Sequence, residues 1–186
     1  MSKLILVTGG ARSGKSHYAE SLCRAQNNKT AYIATSIPFD EEFKARVAKH
    51  REMRPSEWET FEVYEDIYKA IPEIAQAHQT VILDCVTLMV NNLMFKEKVD
   101  YDTISTSEID MLEASIKEQF IKLIKAVQKT ELYFVIVTNE IGLCPVAANK
   151  LTRIYTDIIG RMNQLIAENS DEVYFVVSGI PMKIKG

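Results

Sequence analysis

The sequence predicts an α/β fold: a mainly parallel sheet with helices packed on both faces. Three observations predict it. Short β-branched and aromatic runs recur along the chain, they are apolar almost throughout, and stretches of helical periodicity separate them. A strand with one wet face alternates apolar and polar residues. A strand that is apolar throughout is covered on both faces, as in a layered parallel sheet.

The runs are "KLILVT" (3–8), "TAYIAT" (30–35), "TVILDC" (80–85), "LYFVIVT" (132–138) and "EVYFVVS" (172–178). "TFEVY" (60–64) is a weaker candidate, read as an edge strand. Helices are expected over 14–26, 40–52, 65–77, 86–95, 107–128 and 150–168. The clearest is 107–128, where Ile109, Leu112, Ile116, Phe120, Leu123 and Val127 form one apolar stripe. Two pairs are spaced to cap its start, Ser105 with Glu108 and Ser107 with Asp110. Alternating strands and helices imply a doubly wound sheet, in which ligands bind beyond the carboxyl ends of the strands. Site residues are therefore expected just after the strands.

Composition narrows the function classes. A chain of 186 residues, 47% hydrophobic and 25% charged, reads as one globular domain spanning 1–186. A formal net charge of -3 argues against general nucleic-acid binding and leaves room for a local basic site. Cys23, Cys85 and Cys144 are too widely spaced for a zinc site or a disulfide framework, so a reducing cytoplasm is expected. The first apolar run is too short for a signal peptide or a membrane span.

The first strand runs into "GGARSGKS". Gly9, four residues, then Gly14, Lys15 and Ser16 make the Walker A pattern, with Gly10, Ala11, Arg12 and Ser13 inside the loop. Glycines let the backbone turn tightly, so that successive N–H groups face phosphate oxygens. Lys15 is placed to reach the β- and γ-phosphates, and the Ser16 hydroxyl to bind Mg²⁺. The dipole of the following helix favours the same anion. The fold class is then a P-loop NTPase (RecA-like) three-layer arrangement. Asp84, closing "VILDC", is the expected second group on the metal side. The plainer alternative has it capping the next helix.

A second motif is the basic run "ARVAKHREMRP" (45–55), which sets His50 among Arg46, Lys49, Arg51 and Arg54. By residue type alone this is a solvated helical face. Chemically it also suits a nucleophile facing phosphate, because imidazole is largely neutral at pH 7 and nearby cations keep it so. Of the remaining histidines, His17 reads as a surface or packing residue and His78 as part of an exposed loop.

Several segments, in order, resemble the bifunctional adenosylcobinamide kinase/adenosylcobinamide-phosphate guanylyltransferase family of cobalamin biosynthesis. They are "ILVTGGARSGKS" (5–16), "YIATS" (32–36), "ARVAKHREMRP" with "WETFE" (45–62), "LDCVTLMVNNLM" (83–94), "VTNEIG" (137–142), "DIIGRMNQLIA" (157–167) and "DEVYFVVSGIPMKIKG" (171–186). The resemblance implies phosphorylation of the aminopropanol hydroxyl of adenosylcobinamide. Transfer of GMP from GTP through a guanylylated histidine follows, and the matching position is His50. It further implies nucleotide contacts at Ala34, Thr35 and Ser36 and at Arg51, Glu52, Met53 and Arg54. Glu62 is a candidate acceptor for guanine N1–H and N2–H₂, and Asn139 and Glu140 for facing the corrinoid or the metal. GTP, with ATP possible for the kinase step, and Mg²⁺ are the implied co-substrates and cofactor. A homotrimer with sites near subunit boundaries is the implied assembly.

Two departures from the family pattern stand out. After "NEIGL" the family continues Gly–Ile–Val–Pro, whereas this chain has Cys144, Pro145, Val146 and Ala147. A cysteine takes positive φ poorly, so a different loop path is expected. The usual Arg before the helical Asp is Thr156. Both changes bear on corrinoid contacts. Two other readings stay open from sequence: a P-loop kinase of another alcohol without guanylyl transfer, and a nucleotide-controlled switch protein.

Overall fold

The computed structural model describes residues 1–37 and 55–186. The helix expected over 40–52 lies outside the described residues. The strands are β1 (Lys3–Gly9), β2 (Thr30–Ala34), β3 (Glu59–Glu62), β4 (Thr80–Asp84), β5 (Tyr133–Val137), β6 (Glu172–Val177) and β7 (Ile180–Lys185). The helices are α1 (Lys15–Ala25), α2 (Ile71–Ala77), α3 (Val86–Met94), α4 (Thr106–Gln128) and α5 (Lys150–Asn169).

All seven strands join one sheet in the order β3-β2-β4-β5-β1-β6-β7. Every neighbouring pair is parallel except β6 and β7. Successive strand residues face opposite sides. Leu4, Leu6, Ala31, Ile33, Val81, Leu83, Phe134 and Ile136 accordingly join one buried core with residues of α2, α3, α4 and α5. Ile5, Val7, Tyr32, Ala34, Ile82, Val135 and Val137 join a second core with Ala19 and Cys23 of α1. This is the three-layer P-loop architecture, and it explains why the strands read as unbroken apolar runs.

The register aligns the carboxyl ends. Glu62 pairs with Ala34, Ala34 with Asp84, Asp84 with Val137, and Val137 with Val7. The strand exits thus line one edge of the sheet, and β5 separates the Walker A strand from the Asp84 strand.

Four expectations are corrected or resolved. The helix read over 65–77 is divided: Asp66 takes φ 52°, Ile67–Lys69 form a 3₁₀ turn, and α2 begins only at Ile71. Pro72 lies in its first turn, where a missing N–H costs nothing, whereas inside a longer helix its ring would collide with the turn before it. Strand β7 was not expected. Ser178 (φ 51°) and Gly179 (φ 83°) make a two-residue turn with both central residues left-handed, as a tight hairpin requires. His78 is buried rather than exposed. Its Nε2 lies 3.1 Å from Glu59, its Nδ1 3.3 Å from the Ile74 carbonyl, and its ring meets Phe61 edge-on. At the start of α4, Ser105 and Glu108 form the capping box.

Candidate active site

The cradle is built from the exit of β1. A Cβ on Gly9 would lie 2.6 Å from both the Ser13 hydroxyl and the Val176 carbonyl, so only glycine fits there. Gly14 takes φ +91° and would set a Cβ 3.1 Å from the Cα of Gly179. The Gly10 carbonyl accepts from the Ser13 N–H (3.2 Å) and from Lys15 Nζ (3.1 Å). The Ser13 carbonyl accepts from the Gly179 N–H at 2.7 Å, which fastens the loop to the β6–β7 turn. The N–H groups of Gly14, Lys15 and Ser16 have no backbone acceptor among the described residues. These are the donors that the first turn of a helix leaves for an anion.

Lys15 is buried. Desolvation pushes its ammonium pKa down, against the opposing pull of Cys85 and Asp84. Among the described residues its one side-chain hydrogen bond is to the loop's own carbonyl. The side chain is therefore folded back onto the cradle, close enough to Asp84 to feel its charge.

Asp84 is half-buried at the end of β4, and its Oδ2 accepts from the Tyr32 hydroxyl at 2.9 Å. It does not cap α3: the N-cap is Cys85, without a side-chain cap bond. The plainer reading of this carboxylate is thereby removed. Among the described residues no group of three or more His, Cys, Asp or Glu is placed to hold a metal. One carboxylate and one hydroxyl beside a phosphate cradle nevertheless fit Mg²⁺, which completes its octahedron with substrate phosphates and water. Ser16 and Asp84 are the residues that would hold it.

The turn after β2 behaves differently at each position. Ala34 and Thr35 are buried and Ser36 is half-exposed. The Thr35 hydroxyl donates to the Cys85 carbonyl (2.7 Å) and accepts from the Cys85 N–H (2.9 Å). Its N–H donates to the Asp84 carbonyl (3.2 Å), and its carbonyl accepts from Asn92 (2.6 Å). This leaves the Thr35 hydroxyl no surface to offer a ligand; it acts on the site through the backbone around Asp84.

At the β5 exit, Asn139 is turned inward and donates to Thr87 (2.9 Å). Asn163 of α5 accepts from Thr138 (2.7 Å) and donates to the Asn139 carbonyl (3.0 Å). Glu140 donates its N–H to the Gly9 carbonyl (3.1 Å) and accepts from the Gly142 N–H (2.9 Å). Of the two, Glu140 is the one beside the cradle.

The structure therefore gathers Gly9, Gly10, Ser13, Gly14, Lys15, Ser16 and Asp84. Ala11 and Arg12 are on the exposed rim of the loop. Glu62 does not join this group: it ends β3, two strands beyond Asp84 and four from β1, or about 19 Å. His50, Arg51, Glu52, Met53 and Arg54, with Arg46 and Lys49, lie outside the described residues. Tyr32, Thr87 and Asn163 were missed. The signal for Tyr32 was present in "TAYIAT": a hydroxyl-bearing ring, two residues from the end of an apolar strand, must find a partner. A surface hollow of about 730 Å³ between α2 and α4, lined by Tyr68, Lys122 and Lys129 among others, contains none of the expected site residues.

The sequence profile of the cobinamide kinase / cobinamide phosphate guanyltransferase family (CobU) matches residues 5–184. The chain belongs to this family. It is 42% identical over 182 residues to the bifunctional adenosylcobalamin biosynthesis protein CobU of Escherichia coli (strain K12), covering 98% of this chain and 99% of that one. It is 41% identical to the protein of the same name from Salmonella typhimurium, with the same coverage. It is 34% identical over 181 residues to CobP of Pseudomonas aeruginosa, covering 97% and 96%. The loop at Cys144–Ala147 is the one expected to take a different path. Cys144 is exposed with φ outside the left-handed region, and Arg153 fastens the loop's end by donating to the Ala147 carbonyl at 3.0 Å. Thr156 folds its hydroxyl back onto the Thr152 carbonyl (2.8 Å).

Proposed function

We propose that this chain phosphorylates adenosylcobinamide and then attaches GMP from GTP, through a guanylyl-histidine, to give adenosylcobinamide-GDP. The observation that carries the reading is the family match from residue 5 to residue 184. The free amides of Gly14, Lys15 and Ser16, with buried Lys15 above them, support it as a phosphate cradle.

In the first step the aminopropanol oxygen attacks the γ-phosphorus of ATP or GTP. The bond from that phosphorus to its bridging oxygen breaks, the nucleoside diphosphate leaves and the hydroxyl proton is released. Lys15 leaves the Gly10 carbonyl for the β- and γ-oxygens, and the loop amides hold the phosphates in line. Ser16 and Asp84 would hold Mg²⁺ there, and it would supply further positive charge when bound. In the second step a nitrogen of His50 attacks the α-phosphorus of GTP, and pyrophosphate leaves. A phosphate oxygen of adenosylcobinamide phosphate then attacks the same phosphorus, the N–P bond breaks and the imidazole is restored. Arg46, Lys49, Arg51 and Arg54, beside His50 in sequence, stabilise the charge growing on the phosphates. Ser36, Glu52 and Met53 complete the nucleotide contacts, and Glu62 accepts from the guanine edge. The working assembly is a homotrimer in the cytoplasm. No described helix is long and apolar enough to cross a membrane.

The test is incubation with α-labelled GTP. Acid-labile, alkali-stable protein label is expected in the unaltered chain and absent from His50→Ala, which keeps a measurable kinase rate while losing adenosylcobinamide-GDP formation by several orders of magnitude. Label surviving in His50→Ala would remove the covalent histidine from the mechanism. Lys15→Ala should abolish or nearly abolish both activities. Full guanylyl transfer in that variant at saturating GTP would require a second nucleotide site.

A further inference from the structure

We infer that Tyr32 is a positioning residue for the metal-side carboxylate: its hydroxyl holds Asp84 Oδ2 so that Oδ1 is presented to Mg²⁺. This rests on the metal-side reading of Asp84 proposed above. The ring of Tyr32 is fully buried in the α1-facing core, so the hydroxyl is delivered from a rigid support. It donates to Oδ2 at 2.9 Å, across the β2–β4 pairing that aligns Tyr32 with Ile82 and Ala34 with Asp84. No hydrogen bond to Oδ1 is formed among the described residues.

The backbone beneath the carboxylate is held separately. Thr35 clamps both the N–H and the carbonyl of Cys85, and its own N–H donates to the Asp84 carbonyl. The Asp84 main chain is thus fixed by Thr35 and one carboxylate oxygen by Tyr32. A terminal carboxylate torsion is otherwise broad and roughly two-fold, so a free Asp84 would spread its oxygens over many directions. Magnesium demands near-ideal octahedral geometry and tolerates such spread poorly.

The experiment titrates Mg²⁺ against binding of a fluorescent, non-hydrolysable GTP analogue, a readout independent of turnover. It compares the unaltered chain, Tyr32→Phe, Asp84→Asn and the double variant. Phenylalanine keeps the ring and its packing, and thermal melting verifies the fold. Tyr32→Phe should raise the half-saturating Mg²⁺ concentration about five-fold, the size of one hydrogen bond, and leave metal-free nucleotide affinity unchanged. Asp84→Asn should raise it further, and adding Tyr32→Phe to Asp84→Asn should change nothing more, because the two act as one unit. An unshifted Mg²⁺ curve in Tyr32→Phe, with Asp84→Asn shifted, overturns the positioning role alone. An equal shift in both backgrounds overturns it as well, since Tyr32 would then act elsewhere. An unshifted curve in Asp84→Asn overturns the metal role of Asp84 and the positioning role with it.

Discussion

Lys15 is costly to the folded chain until a phosphate reaches it. Its ammonium is buried, its pKa is lowered by desolvation, and among the described residues one loop carbonyl is its only hydrogen-bond partner. A lowered folded pKa means that the unfolded chain holds this proton more tightly. Below both values the penalty is complete. Between the folded value and the ordinary 10.5 the folded chain sheds the proton first, so stability from this group rises with pH. Lys15→Met should therefore raise the melting temperature of the nucleotide-free protein at neutral pH while abolishing nucleotide binding. The gap in melting temperature should narrow as the pH is taken towards 10. A variant that melts lower than the parent at neutral pH would show that Lys15 is already well compensated. At this scale the sequence was informative about groups that meet phosphate and poor about the groups behind them. Gly9, Gly14, Lys15 and Ser16 are spaced by a motif, and Asp84 by its place at a strand end. Tyr32, Thr87 and Asn163 act through contacts between residues 24 to 68 positions apart, which no local pattern contains.

Among the described elements, α4 is the one whose start is held by side chains on both sides. Ser105 accepts from the Glu108 N–H, and Glu108 accepts from the Ser105 N–H at 2.9 Å. The Ser105 hydroxyl, donating to Glu108 Oε2 at 2.5 Å, and then the Ser105 N–H lower the pKa of the Glu108 carboxyl. Ser105→Ala should cost about 1 kcal/mol, read as a shift of the urea midpoint at constant slope. Replacing Ser107 should have little effect on the midpoint, because the structure selects the other cap. Elements were legible where periodicity was long and unbroken, as in α4 and α5, and at the five apolar strands. They were misread where one residue overrules a pattern. Pro72 divides the region 65–77, since the apolar spacing of Ile67, Ile71 and Ile74 continues through a position that a proline ring closes to a single helix. β7 was missed because its residues are exposed and its apolar alternation, Ile180, Met182 and Ile184, covers no core. The pair Ser178-Gly179 between two apolar runs was the available clue.

For the molecule as a whole, the sheet sets the site by order as much as by composition. Strand exits from five separate stretches of chain align on one edge, and β5 stands between the cradle and Asp84. That the site would lie beyond the strand ends was legible from alternation alone. That Glu62 would lie at the far side of it was not, because strand order is fixed by long-range pairing. At the opposite margin, Glu172 joins the two ends of the chain: Lys3 pairs with it at 2.8 Å and Lys183 at 3.3 Å. The Lys3 contact, then the Tyr174 hydroxyl, then Lys183 hold its carboxyl pKa down to about 2. A depressed folded pKa gives stability that is present above the unfolded value and lost as pH falls through the folded one. The parent should lose this contribution between about pH 5 and pH 2, and Glu172→Gln should flatten that part of the acid-unfolding curve. Identical acid profiles for the two proteins would mean that the pairs are screened by solvent.

The β6–β7 turn touches the back of the cradle, with the Gly179 N–H on the Ser13 carbonyl and its Cα facing Gly14. No residue of that turn is among those assigned to nucleotide, yet it limits where the loop can settle. Selection for tighter or looser GTP binding is therefore not confined to the residues that line the phosphates. A library randomised only at Ser178 and Gly179 should yield heritable changes in nucleotide affinity, with the reacting groups left as they are. The C-terminal hairpin is in that sense an adjusting screw, reachable by mutation without passing through an inactive enzyme.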